Sequence, residues 1–157
     1  MAMEHLREAK NDLYFVFTTQ EELGLRGARP AAFGIDPQYG VAVDVTGTDD
    51  EPESEHEASS VLGGGAAVKI MDSSVICHPQ VVKQLEELAE AHHIKTQRDI
   101  LRYGGTDAGA IHVSRSGVYT GGISVPCRYI HSPVETADCA DIEACSQLIA
   151  AFAQATL

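Results

Sequence analysis

The sequence is poor in basic residues, and this shortage excludes one class of partner. Its 157 residues include 11 lysines and arginines against 23 aspartates and glutamates, a formal net charge of −12 at pH 7. Proteins that bind nucleic acids usually present a basic face to the phosphate backbone. We therefore expect no nucleic-acid partner.

Long apolar runs are also missing. No stretch approaches the roughly 20 apolar residues that a membrane-spanning helix needs. The first ten residues, MAMEHLREAK, lack the apolar core of a signal peptide. We expect no membrane partner, a cytoplasmic location and, from the length, one globular domain.

Cysteine is scarce, and its spacing argues against a zinc knuckle. No two of the four cysteines are spaced as Cys-x-x-Cys. Thiols stay reduced in a cytoplasm, so we expect all four to be packing residues. They are Cys77, Cys127, Cys139 and Cys145.

Much of the negative charge lies in one short segment. Residues 49–57, DDEPESEHE, hold six of the acids. A solvated acidic loop explains this segment better than a cation site. The glycines at 63–65 continue the loop, and no Lys-Ser or Lys-Thr follows them, so a phosphate-binding loop is not expected.

Strand and helix patterns alternate along the rest of the chain. Residues 2–10 resemble the end of a helix. Apolar and β-branched runs predict strands at 13–18, 39–46, 68–71, 95–101 and 118–125. Apolar periodicity predicts helices at 25–33, 78–93 and 137–153, with another beginning near 106–110. This alternation predicts an α/β sandwich around a mixed, mostly parallel sheet.

Three of the predicted strands deliver side chains that are able to bind a metal ion. The first strand leads to Glu21 and Glu22. The second contains Asp44 in an apolar run, and the last leads to His131. Ligands in open α/β sheets bind beyond the strand ends, and these side chains suit a divalent metal such as zinc. Asp44 as a turn cap and His131 as an ordinary loop histidine fit the pattern equally well.

The two adjacent glutamates have a specific use at such a site. Consecutive side chains leave the backbone in different directions. One carboxylate can therefore bind a metal ion while its neighbour acts as a general base toward water. The alternative is a solvated loop, which the position of the pair directly after an apolar run makes less favourable.

Five motifs resemble, in the same order, the second half of the tetrahedral-type metallo-aminopeptidases. That family includes glutamyl and deblocking aminopeptidases, and some members are labelled endoglucanase M. The motifs are TTQEELGLRGA, VAVDVT, VKIMDSSVI, RYGGTDAGAIHVSRSGV and ISVPCRYIHSPVE. The resemblance implies a three-layer α/β sandwich like that of zinc peptidases, incomplete here. It also implies two zinc or cobalt ions and a peptide substrate that loses N-terminal residues.

The resemblance also assigns roles to residues of this chain. Glu21 resembles the general base, and Glu22 resembles the adjacent metal ligand. Asp44 resembles a ligand of the other metal, and His131 resembles the ligand that shares a metal with Glu22. The GGTDAG motif supplies three residues expected to bind the substrate: Gly105, Thr106 and Asp107.

The chain departs from the family in what precedes Glu21. The family supplies a His-x-Asp motif and a bridging aspartate there, but the only histidine before Glu21 is His5. We expect residues 1–157 to form the C-terminal portion of a catalytic domain. The N-terminal portion and the inserted dimerisation domain are then absent, with weak or partial metal binding and impaired activity. A homo-oligomer is expected for a complete family member.

Two other functions remain open at this point. The chain could be a non-catalytic folded fragment with a role in binding or assembly. It could also be a glycosidase, as the endoglucanase label suggests. Glycosidases place two carboxyl groups roughly 5–9.5 Å apart across a sugar, a spacing that the adjacent Glu21 and Glu22 fit poorly.

Overall fold

A five-stranded mixed sheet forms the centre of the structure, a computed structural model that describes residues 1–51 and 59–157. The strands are β1 (Tyr39–Gly47), β2 (Ala66–Met71), β3 (Thr96–Ile100), β4 (Tyr119–Arg128) and β5 (Thr136–Ala137). Their order is β1-β4-β2-β3, with β5 beside β4. The two long ladders, β1–β4 and β2–β3, are parallel, and the two short ones are antiparallel.

Helices cover both faces of this sheet. They are α1 (Ala2–His5), α2 (Ala28–Ile35), α3 (Pro79–Ala91), α4 (Ala108–Ile111) and α5 (Cys139–Gln154). On one face, the side chains of α3 and α5 pack with Val68 and Ile123 in the main apolar core. On the other face, α4 packs against β1, and α2 packs against α4. This arrangement confirms the predicted α/β class with a mixed, mostly parallel sheet.

The strand predicted at residues 13–18 is absent, so that prediction was wrong. These residues are described, but they form no regular element, and Phe17 is 84% exposed. An apolar β-branched run indicates propensity, whereas a strand also needs a neighbouring backbone to pair with. Within the described residues, β1 pairs only with β4.

Other boundaries differ less. The helix predicted at 2–10 ends at His5, and the short strand β5 was not predicted. The acidic loop predicted at 49–57 lies mostly outside the described residues. No helix in the described part of the chain has the length and apolar character that a membrane crossing requires.

Two adjacent glycines let both faces of β4 approach their neighbours closely. A Cβ atom on Gly121 would lie 2.5 Å from Cγ1 of Val81, which belongs to α3. A Cβ atom on Gly122 would lie 3.0 Å from Cβ of Lys69. Because successive residues of a strand face opposite sides of the sheet, one glycine admits α3 and the other admits the Lys69 side chain.

Lys69 belongs to a buried polar layer on the face opposite α3. It is 1% exposed, and its ammonium group pairs with the carboxylate of Asp99, which is also 1% exposed. The hydroxyls of Thr46 and Ser60 donate to Oδ1 of Asp99 at 3.0 and 3.2 Å. The layer therefore joins β1, β2 and β3. Thr46 shares its face of β1 with Asp44, two residues earlier.

Three of the four cysteines are packing residues, as predicted, but Cys139 is exposed at the first position of α5. Burial raises the pKa of Cys77 to about 11 and that of Cys145 to about 12. Burial also raises the pKa of Cys127. The thiolate is the reactive form. These three thiols are therefore unreactive for two reasons: they are buried, and their raised pKa values keep them protonated.

Breaking the Lys69–Asp99 pair is expected to be costly. Lys69→Met leaves the Asp99 carboxylate buried without its cation, and we expect the free energy of unfolding to fall by about 3–5 kcal/mol. The double variant Lys69→Met/Asp99→Leu removes both charges and is expected to recover most of that loss. Urea denaturation of the parent protein and both variants measures the free energy of unfolding. A loss below about 1 kcal/mol in the single variant contradicts the prediction.

The cysteines are expected to differ sharply in reactivity. In the native protein at pH 8, iodoacetamide should modify Cys139 alone, because the other three thiols are buried and protonated. Intact mass measured over time gives the count of modified thiols. Cys139→Ser should remain unmodified until guanidinium is added. Rapid labelling of that variant under native conditions contradicts the burial described here.

Candidate active site

The Glu21–Glu22 pair lies in a tight turn that the backbone itself closes. The N–H of Gly27 donates to the carbonyl of Thr19 at 2.9 Å, and the N–H of Gly24 donates to the carbonyl of Glu21 at 2.9 Å. A Cβ atom at Gly27 would lie 2.5 Å from the Thr19 nitrogen. Closing the turn therefore requires glycine at this position, and the closed turn orients the two carboxylates.

Left-handed backbone conformations flank the candidate site residues. Gln20 and Leu25 both have φ of 58° on either side of the glutamate pair, and Tyr129 and His131 have φ of 56° and 61°. Such conformations cost about 1–3 kcal/mol each in residues other than glycine and concentrate at functional sites. Surrounding contacts must hold both segments in place.

The structure brings Glu22 and His131 into direct contact. Nε2 of His131 lies 3.0 Å from Oε1 of Glu22, although 109 residues separate them in the sequence. Both side chains are exposed, at 69% and 73%. The N–H of His131 also donates to Oε1 of Glu135 at 2.6 Å. The turn after β4 thus carries the imidazole to the glutamate pair.

Asp44 lies within β1, half-buried on the face that also holds Thr46. Its Oδ1 accepts a hydrogen bond from the N–H of Val45 at 2.8 Å. Burial raises the pKa of the Asp44 carboxyl, and the negative charges of Asp107 and Glu22 add to that effect. The Val45 N–H and the ammonium of Lys69 oppose it. The charges of Glu22 and Asp107 therefore act on the Asp44 carboxyl.

Glu21 is the candidate general base, and its surroundings favour the protonated form. Burial is the main cause that raises the pKa of Glu21, followed by the carboxylates of Asp44, Glu22 and Asp107. The charge of His131 acts in the opposite direction. Four carboxyl groups therefore crowd one region, and a bound cation would relieve their mutual repulsion.

The GGTDAG residues lie beside this group and differ in exposure. Thr18 donates from Oγ1 to Oδ2 of Asp107 at 2.6 Å, while Oδ1 of Asp107 is buried without a hydrogen-bond partner among the described residues. Thr106 is buried, and its hydroxyl donates to Asp72 at 3.0 Å. Gly105 is exposed. Of the three, only Asp107 has a buried side-chain oxygen without a hydrogen-bond partner among the described residues.

Two supporting aspartates were missed by the sequence reasoning. Asp72 accepts from the N–H groups of Ser74 and Val75 and from the Thr106 hydroxyl, so it fixes the loop before Asp107. The Asp-Ser-Ser sequence after β2 is typical of such a side-chain-capped turn, and it was available as a signal.

The second missed residue, Asp50, fastens the turn that carries His131. Nε and Nη2 of Arg128 donate to its two carboxylate oxygens at 2.8 and 3.2 Å. The hydroxyl of Thr48 and the N–H of Leu62 donate to it as well. The hydrogen bonds from Arg128 hold the pKa of Asp50 well below its usual range. No spacing in the sequence signals this pair, because 78 residues separate its members.

The donor types fit a divalent metal ion, although the set is partial. Glu22 and His131 together offer an oxygen and a nitrogen, the ligand types of zinc, and the crowded carboxylates favour a cation. Across residues 1–51 and 59–157, no group of three or more His, Cys, Asp or Glu side chains is already arranged to hold a metal. The arrangement therefore offers an oxygen and a nitrogen donor in contact, without a closed coordination sphere among the described residues.

Comparisons with known proteins agree with this description. The sequence model of the M42 glutamyl aminopeptidase family matches residues 1–148. A candidate aminopeptidase of Acetivibrio thermocellus is 52% identical over 148 residues, which are 94% of this chain and 44% of that protein. Aminopeptidase APDkam598 from the archaeon Desulfurococcus kamchatkensis superposes with a TM-score of 0.93 at 42% identity, over 99% of this chain and 44% of that one.

A second similar structure is the TET1 peptidase of Pyrococcus horikoshii, which can assemble into a tetrahedron or a large octahedral shell. It matches with a TM-score of 0.74 at 36% identity, over 87% of this chain and 39% of that one. This chain thus spans less than half the length of each of these three proteins.

The Asp50–Arg128 pair is expected to make stability depend on acid pH. A carboxyl whose pKa is depressed on folding stabilises the protein above its unfolded pKa of about 4, and this contribution disappears as the pH falls. We expect Asp50→Asn to lower the free energy of unfolding by about 1–3 kcal/mol at pH 7. The difference from the parent protein should shrink steadily below about pH 4.

Denaturant unfolding at several pH values checks this expectation. The matched control is Asp36→Asn. Asp36 also pairs with an arginine, but its side chain is 62% exposed, and exposed pairs of this kind contribute little to the free energy of unfolding. Equal losses in the two variants at pH 7 contradict the prediction.

Proposed function

This chain belongs to the M42 glutamyl aminopeptidase family, and we propose that it carries part of the active site of a metal-dependent aminopeptidase. The single observation that supports this proposal is the contact of 3.0 Å between His131 and Glu22. It joins an oxygen and a nitrogen ligand directly beside Glu21. The contact brings together two side chains that are 109 residues apart in the sequence.

We assign the metal ligands to two positions. Glu22 and His131 would hold one ion, and Asp44 would contribute to the other. Two divalent ions, zinc or cobalt, would act as Lewis acids that polarise the scissile carbonyl and make water more acidic. The oxygen and nitrogen donors of these side chains suit that choice.

Glu21 is then the general base. Its carboxylate takes a proton from the attacking water and returns one to the nitrogen of the leaving amine, so that the peptide bond is exchanged for a carboxylate and a free amine. The raised pKa of Glu21 supports this role, because a more basic carboxylate accepts a proton more readily. Ionisation of Glu21 is required before each turnover.

The substrate would lie against the GGTDAG loop. The carboxylate of Asp107, whose buried Oδ1 has no partner among the described residues, is our candidate acceptor for the α-amino group of a peptide. Gly105 exposes its backbone at the same loop, and Thr106 holds the loop through Asp72. A site that reads the amino group would act on chain ends in preference to internal bonds.

We propose that this chain alone binds metal weakly and has little or no peptidase activity. It offers three candidate ligands divided between two positions, and no carboxylate in it is assigned to bridge them. A bridging carboxylate reduces the repulsion between two dications, so both positions are weaker without one. We also propose a cytoplasmic location and, for the active enzyme, assembly into a homo-oligomer.

Zinc titration with a competing fluorescent indicator tests the ligand assignment. We expect Glu22→Gln and His131→Ala each to weaken zinc binding by about tenfold or more. Glu21→Gln should leave zinc affinity nearly unchanged, because Glu21 acts as a base. The matched control is Glu87→Gln, which removes an exposed charge on α3. If the parent protein, Glu22→Gln and His131→Ala bind zinc with equal affinity, the assignment is overturned.

The same samples test the expected activity. With an aminoacyl-nitroanilide and excess zinc or cobalt, we expect hydrolysis at or near the background rate. The proposal that the chain alone is impaired is overturned if it binds zinc stoichiometrically and hydrolyses the substrate in a reaction that a chelator abolishes.

A further inference from the structure

Three serines bury a hydroxyl group that has no hydrogen-bond partner among residues 1–51 and 59–157: Ser114, Ser124 and Ser146. Ser124 is 1% exposed, and Ser146 is 5% exposed. A buried hydroxyl without a partner gives up its bonds to water and gains none in return, which destabilises the folded protein. Such groups are rare and call for an explanation. Of the three, Ser124 pairs in the sheet with a candidate metal ligand, Asp44.

Ser124 occupies the middle of the sheet, between β1 and β2. It pairs with Asp44 on one side and with Ala67 on the other. Gly122, two residues earlier in β4, faces the Lys69 side chain, and residues two apart in a strand share a face. Neighbouring strands are about 4.8 Å apart. The side chains of Ser124 and Asp44 are therefore neighbours on the face that holds the buried polar layer.

The polar side chains that surround Ser124 on this face differ in what they can accept. The ammonium group of Lys69 is a donor only. The hydroxyl of Thr46 already gives its proton to Asp99 at 3.0 Å, and its oxygen is uncharged. A hydrogen bond to an ionised carboxylate is roughly twice as strong as one between neutral groups. The Asp44 carboxylate is therefore the strongest acceptor beside the Ser124 hydroxyl.

Asp44 has room for this bond and for a metal ion together. Its Oδ1 accepts from the N–H of Val45 at 2.8 Å. A carboxylate offers about four lone-pair sites, so a second hydrogen bond leaves sites for an ion. Carboxylates that bind metals are themselves held by hydrogen bonds from surrounding groups, which fix their orientation. Val45 supplies one such bond, and Ser124 carries the hydroxyl that can supply another.

We propose that Ser124 is a positioning residue whose hydroxyl donates a hydrogen bond to the Asp44 carboxylate when Asp44 binds a metal ion. The inference rests on the proposed function, which makes Asp44 a ligand. Serine occupies three staggered rotamers, so the bond forms by rotation of a side chain with the β1–β4 ladder unchanged. A carboxylate that is already oriented loses less freedom when the ion binds, and the affinity is higher.

This role predicts opposite effects on stability and on metal affinity. Ser124→Ala removes a buried hydroxyl that has no partner in the described part of the chain, so the metal-free variant should be as stable as the parent protein or more stable. The same change removes the donor to Asp44 and should weaken metal binding. A serine with a purely structural role would instead lower stability and leave the affinity unchanged.

Zinc titration with a competing fluorescent indicator tests the proposal. We expect Ser124→Ala to weaken zinc binding by about tenfold, whereas Ser124→Thr keeps the hydroxyl and should bind zinc as the parent protein does. Urea denaturation of the metal-free proteins should give Ser124→Ala a midpoint equal to that of the parent or higher. The visible absorption of the cobalt-loaded proteins gives a second readout, because a reoriented carboxylate changes the coordination geometry.

Ser146→Ala is the matched control. It also removes a buried hydroxyl without a partner among the described residues, but Ser146 belongs to α5, which packs on the opposite face of the sheet. We expect unchanged zinc affinity and an unchanged cobalt spectrum. If Ser124→Thr fails to fold, as thermal unfolding would reveal, the comparison of Ser124→Ala with Ser146→Ala decides.

A double-mutant cycle shows whether Ser124 acts through Asp44. In an Asp44→Ala background, Ser124→Ala should cause no further loss of zinc affinity, because its acceptor is already gone. A loss of the same size in both backgrounds overturns the proposal, since the hydroxyl then acts elsewhere.

The remaining outcomes separate this inference from the proposed function. Equal zinc affinity in the parent protein and Ser124→Ala overturns the inference and leaves the proposed function intact. Equal losses in Ser124→Ala and Ser146→Ala also overturn it, as does a lower urea midpoint for metal-free Ser124→Ala. A parent protein that binds no zinc overturns the proposed function and this inference with it.

Discussion

The parallel pairing of β1 with β4 is the constraint on which the rest of the molecule depends. Its unbroken register sets Asp44 beside Ser124 and Thr46 beside Pro126. The same ladder decides which side chains of β1 face the buried polar layer and which face α5. It also ends near the turn that carries His131. The position of each candidate residue on this part of the sheet follows from that one ladder.

The candidate site is assembled from three segments that hold one another through backbone and carboxylate contacts. The Glu21 turn closes on itself, Asp107 is tied to Thr18 at 2.6 Å, and the His131 turn is fastened through Asp50 and Arg128. The acidic side chains converge although their charges repel. A protein tolerates such crowding where a cation or a proton balances it, and this balance is the chemical basis of the metal-dependent assignment.

Local patterns in the sequence were sufficient for most elements. The β-branched run VAVDVT marks β1 because β4 lies beside it and pairs with it. The apolar face of residues 81–88 marks α3 because Val81 and Leu85 are buried in the main core. Residues 13–18 failed for the opposite reason, since the run is apolar but no described strand lies beside it. The position of three strand ends predicted that Glu22 and His131 come together, but their specific pairing was expected only from the family resemblance. The Asp50–Arg128 and Asp72–Thr106 links depend on tertiary proximity, which composition and periodicity do not contain.

The paired glycines of β4 have a consequence for how this fold can vary. Gly121 lets α3 approach one face of the strand, and Gly122 lets the stem of Lys69 lie flat on the other. Gly121 therefore sets how closely α3 approaches the sheet, whereas Gly122 sets the room for the Lys69 side chain on the neighbouring strand β2. A related sequence with a larger residue in place of Gly121 must shorten Val81 or displace α3, and one with a larger residue in place of Gly122 must redirect the Lys69 side chain. Exchange of β4 between relatives is therefore coupled to the segments that hold Val81 and Lys69.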